Sequence, residues 1–168
     1  MILYSQRTVI KPIEESDISD IIKMYSEPDA FKYVKPFQYK SVEFFRDFLH
    51  QKITANKKEV QFWTVKTLTE NVFIGTANLN KLADSDIIQI GCHLSRKFWN
   101  QGFASELLEK VLNYGTNILK LNEIYGVFEN ENIASKKLLE KLDFVDFEEK
   151  EILQTKVNVF RYKTEQTN

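Results

Sequence analysis

Apolar positions recur along this chain with two different periods, and each change of period marks an element. Ile18, Ile21, Ile22 and Tyr25 fall at i, i+3, i+4 and i+7 behind Ser16, the pattern of one helical face with a serine at the N-cap. A short strand, Arg7 to Ile13, precedes it, and Glu27 to Pro36 ends it in a loop. Ser41 caps a second helix whose inner face carries Phe45, Phe48 and Leu49. From Val60 to Leu68 the alternation becomes two-residue, aromatic and β-branched, which predicts a strand. Asn71 marks a turn, and Val72 to Leu79 reads as the next strand. Ile87 to Leu94 is a third, with Ile88, Ile90, Cys92 and Leu94 on one face. The helical period returns with Ala104, Leu107, Leu108 and Val111, in a helix spanning 102 to 119. Ile124 to Glu129 is a short strand. Asn132 then caps a helix with Ser135, Leu138, Leu139 and Leu142 on one face, and Phe144 to Ile152 and Lys156 to Tyr162 form a last pair of strands.

A strand, a helix and a strand over 87–129 imply a parallel pair joined by a right-handed crossover. The expected fold class is α/β (α+β): a mixed, mostly antiparallel central sheet of about seven strands with helices on both faces. No repeat or linker divides the chain, so 1–168 reads as one domain, with 164–168 as a frayed tail.

Composition excludes several function classes. Lys plus Arg is 23 and Asp plus Glu is 24, for a net charge of -1, so no basic footprint for nucleic acid is expected. With one cysteine and two histidines, neither an intrachain disulfide nor a Cys- or His-rich metal site is expected. No apolar run approaches the roughly 20 residues that span a bilayer, and Met1 to Arg7 is too short in apolar residues for a secretory segment. A cytoplasmic location and no membrane partner are therefore expected.

The segment from Leu94 to Glu106 joins a strand to a helix N-terminus, where unpaired amides and the helix dipole favour an anion such as phosphate. Gly102 and Ala104 keep side chains small there. Such a turn also serves plain close packing. Neither a P-loop pattern nor a dinucleotide Gly-rich pattern is present.

Ile90 to Leu94, then Phe98 to Glu106, Asn132 with Ser135, and Leu138 to Phe144 resemble the GNAT acetyltransferase superfamily, and within it the RimJ/RimL ribosomal-protein N-terminal acetyltransferases. Thr8 to Asp17, Phe62 with Trp63, and Ile74 with Gly75 extend the resemblance over nearly the whole chain. It implies a splayed parallel strand pair and acetyl-CoA as co-substrate. The family's pyrophosphate loop falls on Trp99 to Ala104, with Trp99 in place of Gln or Arg and Asn100 in place of a common glycine. The implied cofactor contacts are Asn100, Gln101, Gly102, Phe103, Ala104 and Ser105. The pantetheine arm would pair like an added strand with Cys92, His93 and Leu94, and Asn132 and Ser135 would meet it at the last helix.

The reaction so implied is direct attack by an amine on the thioester. The tyrosine acid of many members falls on Leu139, so the resemblance assigns the departing thiolate to Ser135, whose plain reading is local capping. The strand Glu common in relatives is Gln89, which cannot take a proton. Glu129 and His93 are the remaining candidates for base. Glu129 and Glu131 also read as solvated charges, His93 as a packed strand histidine, and Cys92 as a packing residue. Phe31 and Tyr33, with Phe37, Tyr39 and Gln89, would line the acceptor site. The acceptor is a protein N-terminal α-amine or a small amine, such as an amino acid, polyamine or amino-sugar antibiotic. A non-catalytic acyl-CoA-binding module, and a monomer or homodimer, stay open.

Overall fold

An eight-stranded sheet runs through the protein in the order β1-β2-β3-β4-β5-β6-β8-β7. The computed structural model describes residues 1–55, 61–82 and 85–164. The strands are β1 Leu3–Tyr4, β2 Thr8–Pro12, β3 Gln61–Thr67, β4 Phe73–Lys81, β5 Ile88–Leu94, β6 Glu123–Glu129, β7 Val145–Ile152 and β8 Thr155–Lys163. Every pairing is antiparallel except β5 with β6. The eighth strand is the two-residue β1, too short to leave an alternation in the sequence. Val60, where β3 was expected to begin, and 165–168 of the expected tail lie outside the described residues. Thr164 does not fray: its amide and hydroxyl both donate to the Asn122 carbonyl, at 3.0 and 3.2 Å.

Among the described residues four helices cover the sheet: α1 Ile18–Tyr25, α2 Val42–Ala55, α3 Phe103–Asn113, continued as a π-helical segment Tyr114–Ile118, and α4 Ile133–Lys141. Alternation along the strands divides the core in two. Ile90 and Leu94 of β5 and Ile124 and Phe128 of β6 pack with Leu107 and Val111 of α3 and Leu139 of α4. On the other face Ile13, Ile18, Ile21, Met24, Leu49 and Phe62 form a second cluster with α1 and α2. Gly126 permits the close approach of α4, since a Cβ there would lie 2.4 Å from the Leu139 methyls. Among the described residues, no helix is long and apolar enough to cross a membrane.

The first helix starts differently from its expected serine cap. Ser16 lies inside a 3-10 turn, Glu15–Asp17, closed by a capping box between Glu14 and Asp17. Asp17 wins this role because it is buried and makes tertiary contacts as well. Its Oδ2 accepts from the Glu14 amide and the Thr64 hydroxyl, each at 3.0 Å. Oδ1 has no well-aligned hydrogen bond but stands 2.9 Å from the Lys66 ammonium, so charge holds it. Ser41 and Asn132 do cap as expected: Ser41 Oγ accepts from the Phe44 amide and Asn132 Oδ1 from the Ser135 amide, both at 3.1 Å. Asn71 takes a left-handed turn at φ 54°.

Candidate functional site

The parallel pair splays. Gln89 and Tyr125 are in register, and beyond them β5 runs on to Leu94 and β6 to Glu129 without further pairing among the described residues. The Ser95 amide donates to Ile74 on β4 at 2.9 Å. Backbone groups alternate in direction along a strand, so those of Cys92 and Leu94 turn to the opening. One is already engaged, because the Trp99 indole Nε1 donates to the Leu94 carbonyl at 2.7 Å. Among the described residues, the Leu94 amide and the amide and carbonyl of Cys92 have no partner on β6. The Cys92 side chain itself points into the core with Ile90 and Leu94. Burial pushes its thiol up to about 12, so it stays protonated near neutral pH and is a poor nucleophile.

At the end of β5 the chain makes a 3-10 turn, Arg96–Phe98, and then reverses into α3. Asn100 sits at φ 58° and Gly102 at φ 80°, two left-handed residues that shape the turn into the α3 N-terminus. Asn tolerates that region better than most residues, and Gly adopts it at no steric cost. Gly102 caps α3 without a side-chain hydrogen bond, so the amides of Phe103, Ala104 and Ser105 keep the dipole's positive end open. Phe103 is buried against Phe98, and Ala104 is partly buried in the core, so they contribute backbone there. The Gln101 side chain turns back to the Lys97 carbonyl at 2.7 Å. Ser105 Oγ accepts from Lys141 of α4 at 3.3 Å.

Two carboxylates anchor this loop. Glu106, in the first turn of α3, accepts from the Ser5 hydroxyl at 2.5 Å and from the Arg7 amide and Nε at 2.7 Å each. Arg7 also reaches the Gln101 carbonyl at 3.1 Å and lies over the Phe103 ring at 4.1 Å. Partial burial pushes the Glu106 carboxyl up, but the Ser5 and Arg7 hydrogen bonds and the Arg7 charge outweigh it and hold it below the usual range. Glu27, just beyond α1, accepts from the Ser95 hydroxyl at 2.5 Å and the Arg96 amide at 2.8 Å. Neither anchor was found in the sequence. Glu106 stood within the motif, but its partners are about a hundred positions away, and only an acidic residue in a first helical turn hinted at it.

Gln89, Gly91 and His93 alternate to the face opposite Ile90, Cys92 and Leu94, and there His93 meets α1 and the loop after it. His93 lies 5.3 Å from each of the Tyr25 and Phe31 rings, which themselves pack at 4.9 Å. Phe31 also contacts Phe37 and Phe45, so it is a wall of this face held by its neighbours. Tyr33 is half-buried, with Lys32 over its ring at 5.2 Å. Burial lowers the His93 pKa to about 4, with Glu27 opposing weakly, so the imidazole is neutral at pH 7 and a weak base. The native state thus refuses a proton that the unfolded chain takes near 6.5. Stability is full above that value and falls by roughly 3 kcal/mol as pH drops toward 4. A urea titration series from pH 7 to about 4 should show this loss, and His93→Phe should remove its share.

Glu129, a candidate base that also read as a solvated charge, is buried at the end of β6. Its Oε1 accepts from the Lys35 amide at 2.6 Å, and Lys35 Nζ stands 3.6 Å from Oε2. This ties the loop between α1 and α2 to the far wall of the opening. Glu131 is exposed. At the start of α4, Asn132 Oδ1 is committed to capping, while Ser135 is half-buried and its hydroxyl has no partner among the described residues. Leu139 is buried against Gly126 and belongs to the core. Among the described residues, no cluster of three or more His, Cys, Asp or Glu side chains is placed to hold a metal.

The sequence matches the family model described as acetyltransferase (GNAT) domain over residues 7–145. It is 31% identical over 145 residues to the uncharacterized N-acetyltransferase p20 of Bacillus licheniformis, covering 84% of this chain and 81% of that one. The crystal structure of a GNAT-family acetyltransferase from Bacillus anthracis superposes with a TM-score of 0.83 at 23% identity, covering 97% of this chain and 98% of the other. RimL, described as the ribosomal L7/L12 alpha-N-protein acetyltransferase and solved in complex with coenzyme A, gives a TM-score of 0.83 at 16% identity over 97% and 98% of the two chains. These two structures share the fold with this chain.

Proposed function

Because the chain belongs to the GNAT family of acetyltransferases, an acyltransferase class, we propose that it transfers acetyl from acetyl-CoA directly to a primary amine, with a protein N-terminal α-amine as the acceptor. The observation that carries this reading is the splay of β5 from β6 beside an uncapped α3 N-terminus. An extended amide-bearing arm fits the free edge of β5 at Cys92 and Leu94, and a pyrophosphate fits the amides from Gln101 to Ser105 in the turn that Asn100 shapes. Arg7 and Lys141 add positive charge on that side. The thioester, when bound, supplies the electrophilic carbonyl. Amides of the β5 edge are placed to hydrogen-bond it. The hydroxyl of Ser135, without a partner among the described residues, and the α4 N-terminus at Asn132 are the groups available to the departing sulfur. The α-amine class is favoured by the RimL likeness of fold and by the uncharged aromatic wall that Phe31 and His93 form on the acceptor face. An α-amine titrates near 8, so part of it is already free at neutral pH.

Calorimetry with acetyl-CoA, free CoA and ATP, followed by an acceptor panel of short peptides and small amines, tests the reading. Micromolar acetyl-CoA binding with much weaker ATP binding, and acetylation of peptide N-termini over polyamines, is the expected result. No acetyl-CoA binding would sink it. Within this frame Arg7→Ala removes both the loop clamp and a nearby cation. The acetyl-CoA Kd should rise about tenfold, or about 1.4 kcal/mol, in the same calorimeter.

A further inference from the structure

Gln89 cannot accept a proton, and His93 is half-buried, neutral and a weak base, yet a carboxylate lies two residues from the register partner of Gln89. Tyr125 is the register partner of Gln89, at the last paired position before the strands part. In-register partners project to one face, so Tyr125 shares the acceptor face with Gln89 and His93. The Tyr125 hydroxyl donates to Glu123 Oε2 at 2.5 Å, and its ring rests on Phe147 at 5.6 Å. Glu123 is one-third exposed. The other charged groups around the pair come from β8: Arg161 Nη1 at 3.6 Å and Lys163 Nζ at 3.8 Å from Glu123 Oε1. His93 on β5 and Glu129 on β6 lie on the same face, farther along their strands.

We propose that Tyr125 and Glu123 are the proton relay of the transfer reaction: the Tyr125 hydroxyl accepts a proton from the acceptor ammonium while passing its own to the Glu123 carboxylate. This rests on the acetyltransferase reading. Glu123, at the rim, then releases that proton to water. The freed amine lone pair forms the C–N bond to the acetyl carbon, and the C–S bond breaks with its electron pair on sulfur. A second proton, lost by the nitrogen, ends on the sulfur, giving an amide and a free thiol. Burial, and then the adjacent carboxylate, raise the Tyr125 hydroxyl above its ordinary range, so it passes a proton through rather than resting as an anion. The Tyr125 hydrogen bond, aided by Arg161 and Lys163, holds the Glu123 carboxyl below the usual range, so it rests ionised and readily gives up to water any proton it takes.

The test compares wild type, Tyr125→Phe and Glu123→Gln on a seryl-initiated hexapeptide, an alanyl-initiated hexapeptide and spermidine, from about pH 6 to 9.5. Acetyl-CoA affinity and Tm are measured on each protein. Both variants should lose about 100-fold in kcat/KM near pH 7 with acetyl-CoA affinity unchanged. The deficit should close as pH rises past the amine pKa, because water then delivers the free amine. Tyr125→Phe keeps the ring on Phe147, so it carries the test even if Glu123→Gln loses stability. A deficit constant over pH, no deficit in Tyr125→Phe, or lost acetyl-CoA affinity in Tyr125→Phe would overturn the relay alone. Failure of the wild type to acetylate any probe would overturn the acetyltransferase reading, and the relay with it.

Discussion

Gly102→Glu should raise the acetyl-CoA Kd by at least about 100-fold, while the protein remains folded. Gly102 holds φ 80° at the α3 N-cap, a conformation that costs an L-residue roughly 1–2 kcal/mol. There is room for a side chain, since the nearest atom to an added Cβ is Arg7 Nη2 at 3.5 Å. The defect therefore comes from a turn pushed out of shape and from a carboxylate facing the phosphates, not from a clash that unfolds the domain. Each tenfold step is about 1.4 kcal/mol, and strain plus like-charge repulsion supplies two such steps. Gly102→Ala carries the strain without the charge and should lose about tenfold. Calorimetry on both variants separates the two contributions. An undiminished affinity in Gly102→Glu would remove the α3 N-terminus from the site.

Asp17→Ala should lower stability by about 3–5 kcal/mol, the range seen when one partner of a buried ion pair is removed. Asp17 is fully buried and Lys66 is 16% exposed. The variant strands the Lys66 ammonium beneath the sheet and leaves the Glu14 amide and Thr64 hydroxyl without their acceptor. Urea unfolding should show a lower midpoint at unchanged slope, and Tm should fall by roughly 6–20 °C. Because Asp17 fixes the start of α1, and α1 leads into Glu27 and carries Tyr25, acceptor turnover should suffer before acetyl-CoA binding does. A loss below about 1 kcal/mol would mean that water reaches Lys66.

The elements were legible because each rests on a local cause. The shift from period-two to helical spacing between Leu94 and Ala104 located the β5–α3 junction, and the helix-end amides there are the sequence ground for the proposed anion site. Asn132, Ser41 and Asn71 could be read because caps and turns involve residues within three or four positions. Ser16 was misread because the choice between it and Asp17 depended on burial, and burial came from Thr64 and Lys66 on another strand. The two-residue β1 exists only as a pairing with Val9 and Ile10. Glu129 read as a surface charge because nothing near it in sequence shows that Lys35 covers it.

The chain's own order of residues was enough to read most of the strands and helices, the crossover and, through resemblance, the acetyltransferase family. Those features arise from side-chain periodicity, backbone conformation and helix-end amides, all of which act over a few residues. The state of each side chain in the site depended instead on neighbours distant in sequence. Burial beside Tyr25 and Phe31 made His93 neutral, and Arg7 and Ser5 made Glu106 an anchor. Register across a parallel pair brought Tyr125 opposite Gln89. Desolvation and Coulomb interactions act through space, so charge, protonation and partnership emerge only when the sheet brings its strands together.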